Sequence, residues 1–155
     1  MKTEVMIQSL KKTDCKQIID TNYIGHLAYL YGECPIVIPI TYYYNKADNS
    51  IICYSAEGRK IKSMRKHKYI SLSVDEIESI NQWKCVLIEG VYQELKGSNA
   101  KYYLHEFAKG VIDIMANKEQ KDVNFISEFS SKLESEGIPI VFKIDILEIT
   151  GRQRY

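Results

Sequence analysis

Three runs in the first half of the chain limit the fold more than any other feature. "IGHLAYL" (24–30), "PIVIPITYYYN" (35–45) and "IICYS" (51–55) are rich in β-branched and aromatic residues, and only "YGEC" and the polar turn "NKADNS" separate them. A parallel pair needs a crossover of a dozen or more residues, so connections this short force antiparallel hairpins and exclude a doubly wound parallel sheet. "YISLSV" (69–74), "WKCVLIEGVYQEL" (83–95) and the alternating "IPIVFKIDILEITG" (138–151) add further strands. Five or six such strands fit a small antiparallel barrel that is mainly β with flanking helices. Pro39 cannot donate to a ladder, which puts its strand at an edge or bulges it there, and Gly90 marks a bend or bulge within 83–95.

Four helices are expected. The first runs through Asp20, capped by Thr13 or Asp14, and the second opens near Gly58, where Ile61 and Met64 recur at helical spacing. Two amphipathic ones, Ser98 to about Lys109 and Asp122 to about Glu134, would cover an end of the barrel. In "TYYY", Tyr42 and Tyr44 share one face of a strand and Tyr43 takes the other, an arrangement suited to packing or a subunit interface, with an aromatic substrate pocket as the alternative.

A chain of 155 residues is expected to form one domain, 1–155. Its formal net charge of +1 argues against binding nucleic acid or an acidic membrane through bulk charge. "MKTEVMIQSLKK" has no apolar stretch of signal-peptide length, and no later run approaches the roughly 20 apolar residues that span a bilayer. A cytoplasmic protein with no membrane partner is expected. Cys15, Cys34, Cys53 and Cys85 are scattered without Cys-x-x-Cys spacing, which points to buried free thiols instead of zinc ligands or disulfides.

Against that neutral background, residues 53–68, "CYSAEGRKIKSMRKHK", carry six Lys or Arg, one His and a single acid. A helix N-terminus offers unpaired N–H groups and partial positive charge. Ser55 lies just ahead of the expected terminus, and Arg59 and Lys60 lie in its first turn, a hydroxyl, a planar fork and a point charge suited to a phosphate monoester. The stretch is not a Walker loop, because the earlier glycine and the Ser or Thr after Lys60 are missing. A solvated basic helix face is the bland alternative.

The order Tyr54-Ser55, Arg59-Lys60, "YISLSV", then Val86 and Gly90, resembles the FMN-binding split-barrel superfamily, which includes the pyridoxamine 5′-phosphate oxidases. The likeness covers about 13 to 95, and "IDILEITGR" is similar to the last strand of the smaller members. The resemblance implies an antiparallel split barrel that binds FMN in a cleft between two subunits of a homodimer. It implies that Ser55, Arg59 and Lys60 hold the phosphate. Val37, Ile38, Pro39 and Ile40 would run along the isoalloxazine and offer backbone groups to it, with Tyr54 alongside. Cys85 falls where the oxidases carry a Gln that reaches the flavin, Lys84 precedes it, and Trp83 would pack near the flavin at the interface.

An FMN protein of this kind is expected to pass electrons from NAD(P)H or another small-molecule donor to a small-molecule acceptor. Two departures leave that acceptor open. Tyr54 stands where members similar to nitroimidazole-resistance proteins often have His, and "ITGRQRY" replaces the Trp, Arg-Leu and Pro ending of the oxidases. Other readings are a flavin-binding protein without turnover, a haem protein using one of His26, His67 and His105, and a small barrel that stacks single-stranded nucleic acid. His26 is the histidine expected nearest the cleft.

Overall fold

The structure is a computed structural model that describes residues 6–119 and 139–155. Its strands are β1 (Ile7–Ser9), β2 (Ile24–Tyr31), β3 (Cys34–Thr41), β4 (Tyr43–Asn45), β5 (Ser50–Ser55), β6 (Tyr69–Ser79), β7 (Gln82–Leu95) and β8 (Ile140–Arg154). Its helices are α1 (Lys12–Thr21), α2 (Arg59–Lys66) and α3 (Gly97–Glu119). The expected helix from Asp122 lies outside the described residues. Every strand pairing is antiparallel, in the order β3-β2-β6-β7-β8-β5-β4, with β1 added against β8.

Short connections produced the expected hairpins, but the ladder among the described residues does not close into a continuous barrel. β3 pairs only with β2, and β4 only with β5. Pro39 accordingly sits on an edge strand, opposite His26. The expected strand 35–45 divides at Tyr42, whose backbone N–H leaves the ladder and donates to the Tyr23 carbonyl at 2.8 Å. Gly90 marks a real irregularity. Glu89 pairs with Glu148 and Gly90 with Ile146, so Leu147 of β8 is the extra residue and the two longest strands bend there. The helix at residue 12 starts from Lys11 with no side-chain cap, and Asp14 falls within its first turn instead of at its cap.

Two cores result. The first fills the barrel with Leu27, Ile51, Leu72, Val86, Ile88 and Ile144, closed by Ile18 and Ile19 of α1 and Ile61 and Met64 of α2. The second lies between α3 and the outside of β5 and β8, where Phe107, Val111 and Met115 cover Ile52 and Val141. β5 is therefore buried on both sides, with Ile51 and Cys53 inward and Ile52 and Tyr54 under α3. Tyr42 and Tyr44 share the barrel core while Tyr43 belongs to the α3 layer. Of the cysteines, Cys15 and Cys53 are buried, Cys85 is half-buried and Cys34 is exposed, because Cys34 opens the edge strand. Among the described residues no helix is long and apolar enough to cross a membrane.

Candidate functional site

β5 ends at Ser55, three residues follow, and α2 begins at Arg59, so a strand end and a helix start bring the backbone of the three nominated residues close together. Strand alternation puts Ser55 on the side of Cys53, toward the barrel and α2. Its hydroxyl donates to the Ala56 carbonyl at 3.1 Å, a local bond it would exchange to donate to an anion arriving at the turn. Lys60 reaches toward the same side. It is half-buried, its pKa is lowered by burial, and the buried thiol of Cys53 is the neighbour it feels. Burial pushes that thiol upward, so at neutral pH it carries no charge to offset the ammonium. Among the described residues no carboxylate pairs with Lys60.

Arg59 turns the other way. Its guanidinium stacks 4.7 Å from the ring centroid of Tyr31, at the end of β2, and so ties α2 to the β2–β3 hairpin. A groove of about 600 Å³ opens beside this pair, with Lys62, Lys66 and His67 on its helix side. The remaining arginine of the basic stretch, Arg65, is engaged by two acids: Glu57 at 2.6 Å and Glu94 at 2.7 Å. The stretch thus separates into cations committed to acids and cations left facing solvent or cavity, a distinction its one-dimensional pattern does not contain.

The edge strand supplies the second half of the nominated set. Val37 and Pro39 point outward, Val37 being 63% exposed, while Ile38 and Ile40 turn toward the barrel core. On the side away from β2, β3 has no strand neighbour among the described residues, so its backbone groups there have no ladder partner. Register carries the outward face across the sheet. Pro39 faces His26, His26 faces Ser73, and Ser73 faces Leu87. Cys85 is on this face too, its sulfur 3.7 Å from the Ser73 hydroxyl, which in turn donates to Asp75 at 3.2 Å. Burial, and then the Asp75 carboxylate, raise the Cys85 pKa, so the group is a neutral thiol and a poor nucleophile at neutral pH.

Two nominated residues, Tyr54 and Lys84, are separated from these two clusters. Tyr54 packs edge-on against Phe107 of α3 with centroids 5.2 Å apart, on the opposite side of β5 from Ser55. Lys84 lines a polar hollow of about 250 Å³ with Asp14, Gln17 and Glu76, on the α1 side of the sheet. Trp83, two residues before Cys85 in unbroken register and so on the same outward face, is half-buried near the β6–β7 hairpin, opposite Ile77 and Arg154. Sequence reasoning missed Tyr31 and the Glu57–Arg65–Glu94 group. The one available signal was that Glu57 is the lone acid of the basic stretch.

The family model for pyridoxamine 5′-phosphate oxidase matches residues 11–153. An uncharacterized protein of Rhizobium meliloti (strain 1021) is 25% identical over 148 residues, covering 96% of this chain and 95% of its own. In three dimensions the chain is similar to an FAD-binding protein from Mesorhizobium loti, with a TM-score of 0.74 at 24% identity, covering 98% of this chain and 99% of that one. It is also similar to the FAD-binding protein from Mycobacterium smegmatis, with a TM-score of 0.60 at 15% identity, covering 96% and 99%. These likenesses assign the fold to the split-barrel flavoproteins.

Proposed function

Because the chain belongs to the pyridoxamine 5′-phosphate oxidase family, whose model spans residues 11–153, we propose that it is a cytoplasmic, one-domain FMN-binding oxidoreductase that works as a homodimer. The observation that carries this reading is Lys60, a half-buried ammonium in the first turn of α2 that has no carboxylate partner among the described residues and is near enough to feel the Cys53 thiol, two residues before Ser55. Burying a cation costs free energy unless an anion joins it, and a phosphate monoester is the anion that this donor set fits. Relatives in structure named as FAD-binding support a flavin at this fold without deciding between mononucleotide and dinucleotide.

In this reading Ser55, Arg59 and Lys60 hold the phosphate, with Arg59 leaving its stack on Tyr31 or sharing it. The open edge of β3 from Val37 to Ile40 presents backbone donors and acceptors to the polar rim of the ring, and Pro39 leaves one donor out of that row. Bound FMN would supply the redox chemistry, taking electrons from NAD(P)H or another small-molecule donor and passing them to a small-molecule acceptor. The outward face bearing Val37, His26 and Cys85 would exclude water on one side, with a second subunit completing the cleft. Trp83 extends that face beyond Cys85, Lys84 lies on the opposite, α1 side of the sheet, and Tyr54 packs beneath α3.

The test is the visible absorption spectrum of the freshly purified protein, with identification of the chromophore released on denaturation. FMN release and much tighter binding of FMN than riboflavin are expected. Release of FAD would keep a flavin and revise the mononucleotide. A colourless protein that refuses FMN, or one that binds FMN and riboflavin alike, would overturn the phosphate assignment.

A further inference from the structure

Glu57 sits where an acid is least expected. It is one of three residues linking Ser55 to Arg59, and a phosphate monoester held there would bring roughly −1.5 to −2 charges close to it. Two residues of chain span at most about 7 Å, inside the Debye length of about 8–10 Å at ordinary ionic strength, so an unpaired Glu57 would oppose the ligand. It is not unpaired. Arg65 grips both carboxylate oxygens, Nη1 to Oε1 at 2.6 Å and Nη2 to Oε2 at 3.0 Å. The same guanidinium also donates from Nε and Nη2 to Glu94 of β7, at 2.7 and 3.1 Å. Glu94 is steadied in turn by the Tyr92 hydroxyl at 2.8 Å. A planar fork that engages two carboxylates at once is geometry a lysine cannot reproduce.

We propose that Arg65 is a positioning residue for the phosphate cradle: anchored to Glu94, it holds the Glu57 carboxylate and offsets its charge, which would otherwise oppose a ligand at Ser55, Arg59 and Lys60. The inference rests on the phosphate reading of that corner. It assigns to Arg65 no contact with the ligand. Its effect reaches the ligand through the charge balance it strikes with Glu57, and the double variant separates this from a general role in stability.

Arg65→Gln, Glu57→Gln and the double variant would be titrated with FMN and with riboflavin by fluorescence quenching. Arg65→Gln is expected to weaken FMN binding by about tenfold or more, equivalent to about 1.4 kcal/mol, with riboflavin affinity unchanged and the FMN deficit narrowing as salt is added. Glu57→Gln is expected to bind FMN at least as tightly as wild type, and the double variant to return to within about threefold of it. Full FMN affinity in Arg65→Gln, or a double variant as weak as Arg65→Gln, would overturn the inference. Should Arg65→Gln fail to fold, the double variant decides in the same way: near-wild-type FMN affinity supports the inference and a loss of about tenfold overturns it. Wild-type protein that does not distinguish FMN from riboflavin would instead bring down the phosphate reading itself.

Discussion

Gly90 and Lys60 show how much single positions carry. A Cβ on Gly90 would lie 2.5 Å from Cγ2 of Ile144 and 2.6 Å from the Asp145 carbonyl, and the latter is strand backbone that cannot swing aside. Gly90→Ala should therefore lose about 1–3 kcal/mol of unfolding free energy in a denaturant titration, and a loss below a few tenths would show that β8 can shift at its bulge. At the site corner, each charge-assisted bond to a phosphate is worth roughly 1.5–3 kcal/mol. Replacing Arg59 and Lys60 together with Ala should thus weaken FMN binding by a few kcal/mol while riboflavin binding changes little; unchanged FMN affinity would remove both residues from the cradle. Pro39 and Gly90 were legible as individuals because each has a backbone peculiarity that one letter declares. Tyr54 was not, since its letter does not say which side of β5 a helix from later in the chain will cover.

Elements are tied to one another by a few polar contacts that the apolar pattern does not reveal. α2 is short, and its apolar face, Ile61 and Met64, roofs the barrel. Arg65 adds a lateral tie to β7 through Glu94. The Arg65 hydrogen bond, and less so that from Tyr92, hold the Glu94 carboxyl below its ordinary 4.5. A carboxyl depressed on folding contributes stability that is complete above its unfolded value and is lost as pH falls through its folded value. Thermal melts of wild type and Glu94→Gln should accordingly differ by a constant amount from neutral pH to about pH 5 and converge below 4.5. Melts that stay equally far apart into strong acid would deny Glu94 this role. α3 extends ten residues past the expected end at Lys109, to Glu119, because Val111 and Met115 continue the stripe begun by Phe107 against β5 and β8.

At the scale of the whole molecule, the outward sheet face is the feature that calls for a partner. Ile24, Leu30, Val37 and Leu87 are large apolar residues that stand exposed there, between 37% and 63%, and a lone soluble chain rarely leaves such a group uncovered. In the proposed homodimer this face meets a second copy. Sedimentation at micromolar concentration should give twice the 18.0 kDa chain mass, and Val37→Asp with Leu87→Asp should shift the protein to monomer and release its flavin together. A monomer that still holds flavin tightly would contradict a cleft built between subunits.

The sequence by itself determined the antiparallel strand pairing, the edge position of Pro39, the bend at Gly90 and a helix start just beyond the strand that ends at Ser55. All of these follow from short-range rules: connection length, a missing N–H, a missing Cβ, and a helix start next to a strand end. Only the tertiary structure decided which cations of the basic stretch remain available, that the sheet stays open between β3 and β4, and that Lys84 and Tyr54 turn away from Ser55 and Cys85. Those outcomes depend on contacts between residues far apart in the chain, such as Arg65 with Glu94 and Tyr54 with Phe107, where burial and charge pairing are settled by which distant element arrives beside each side chain.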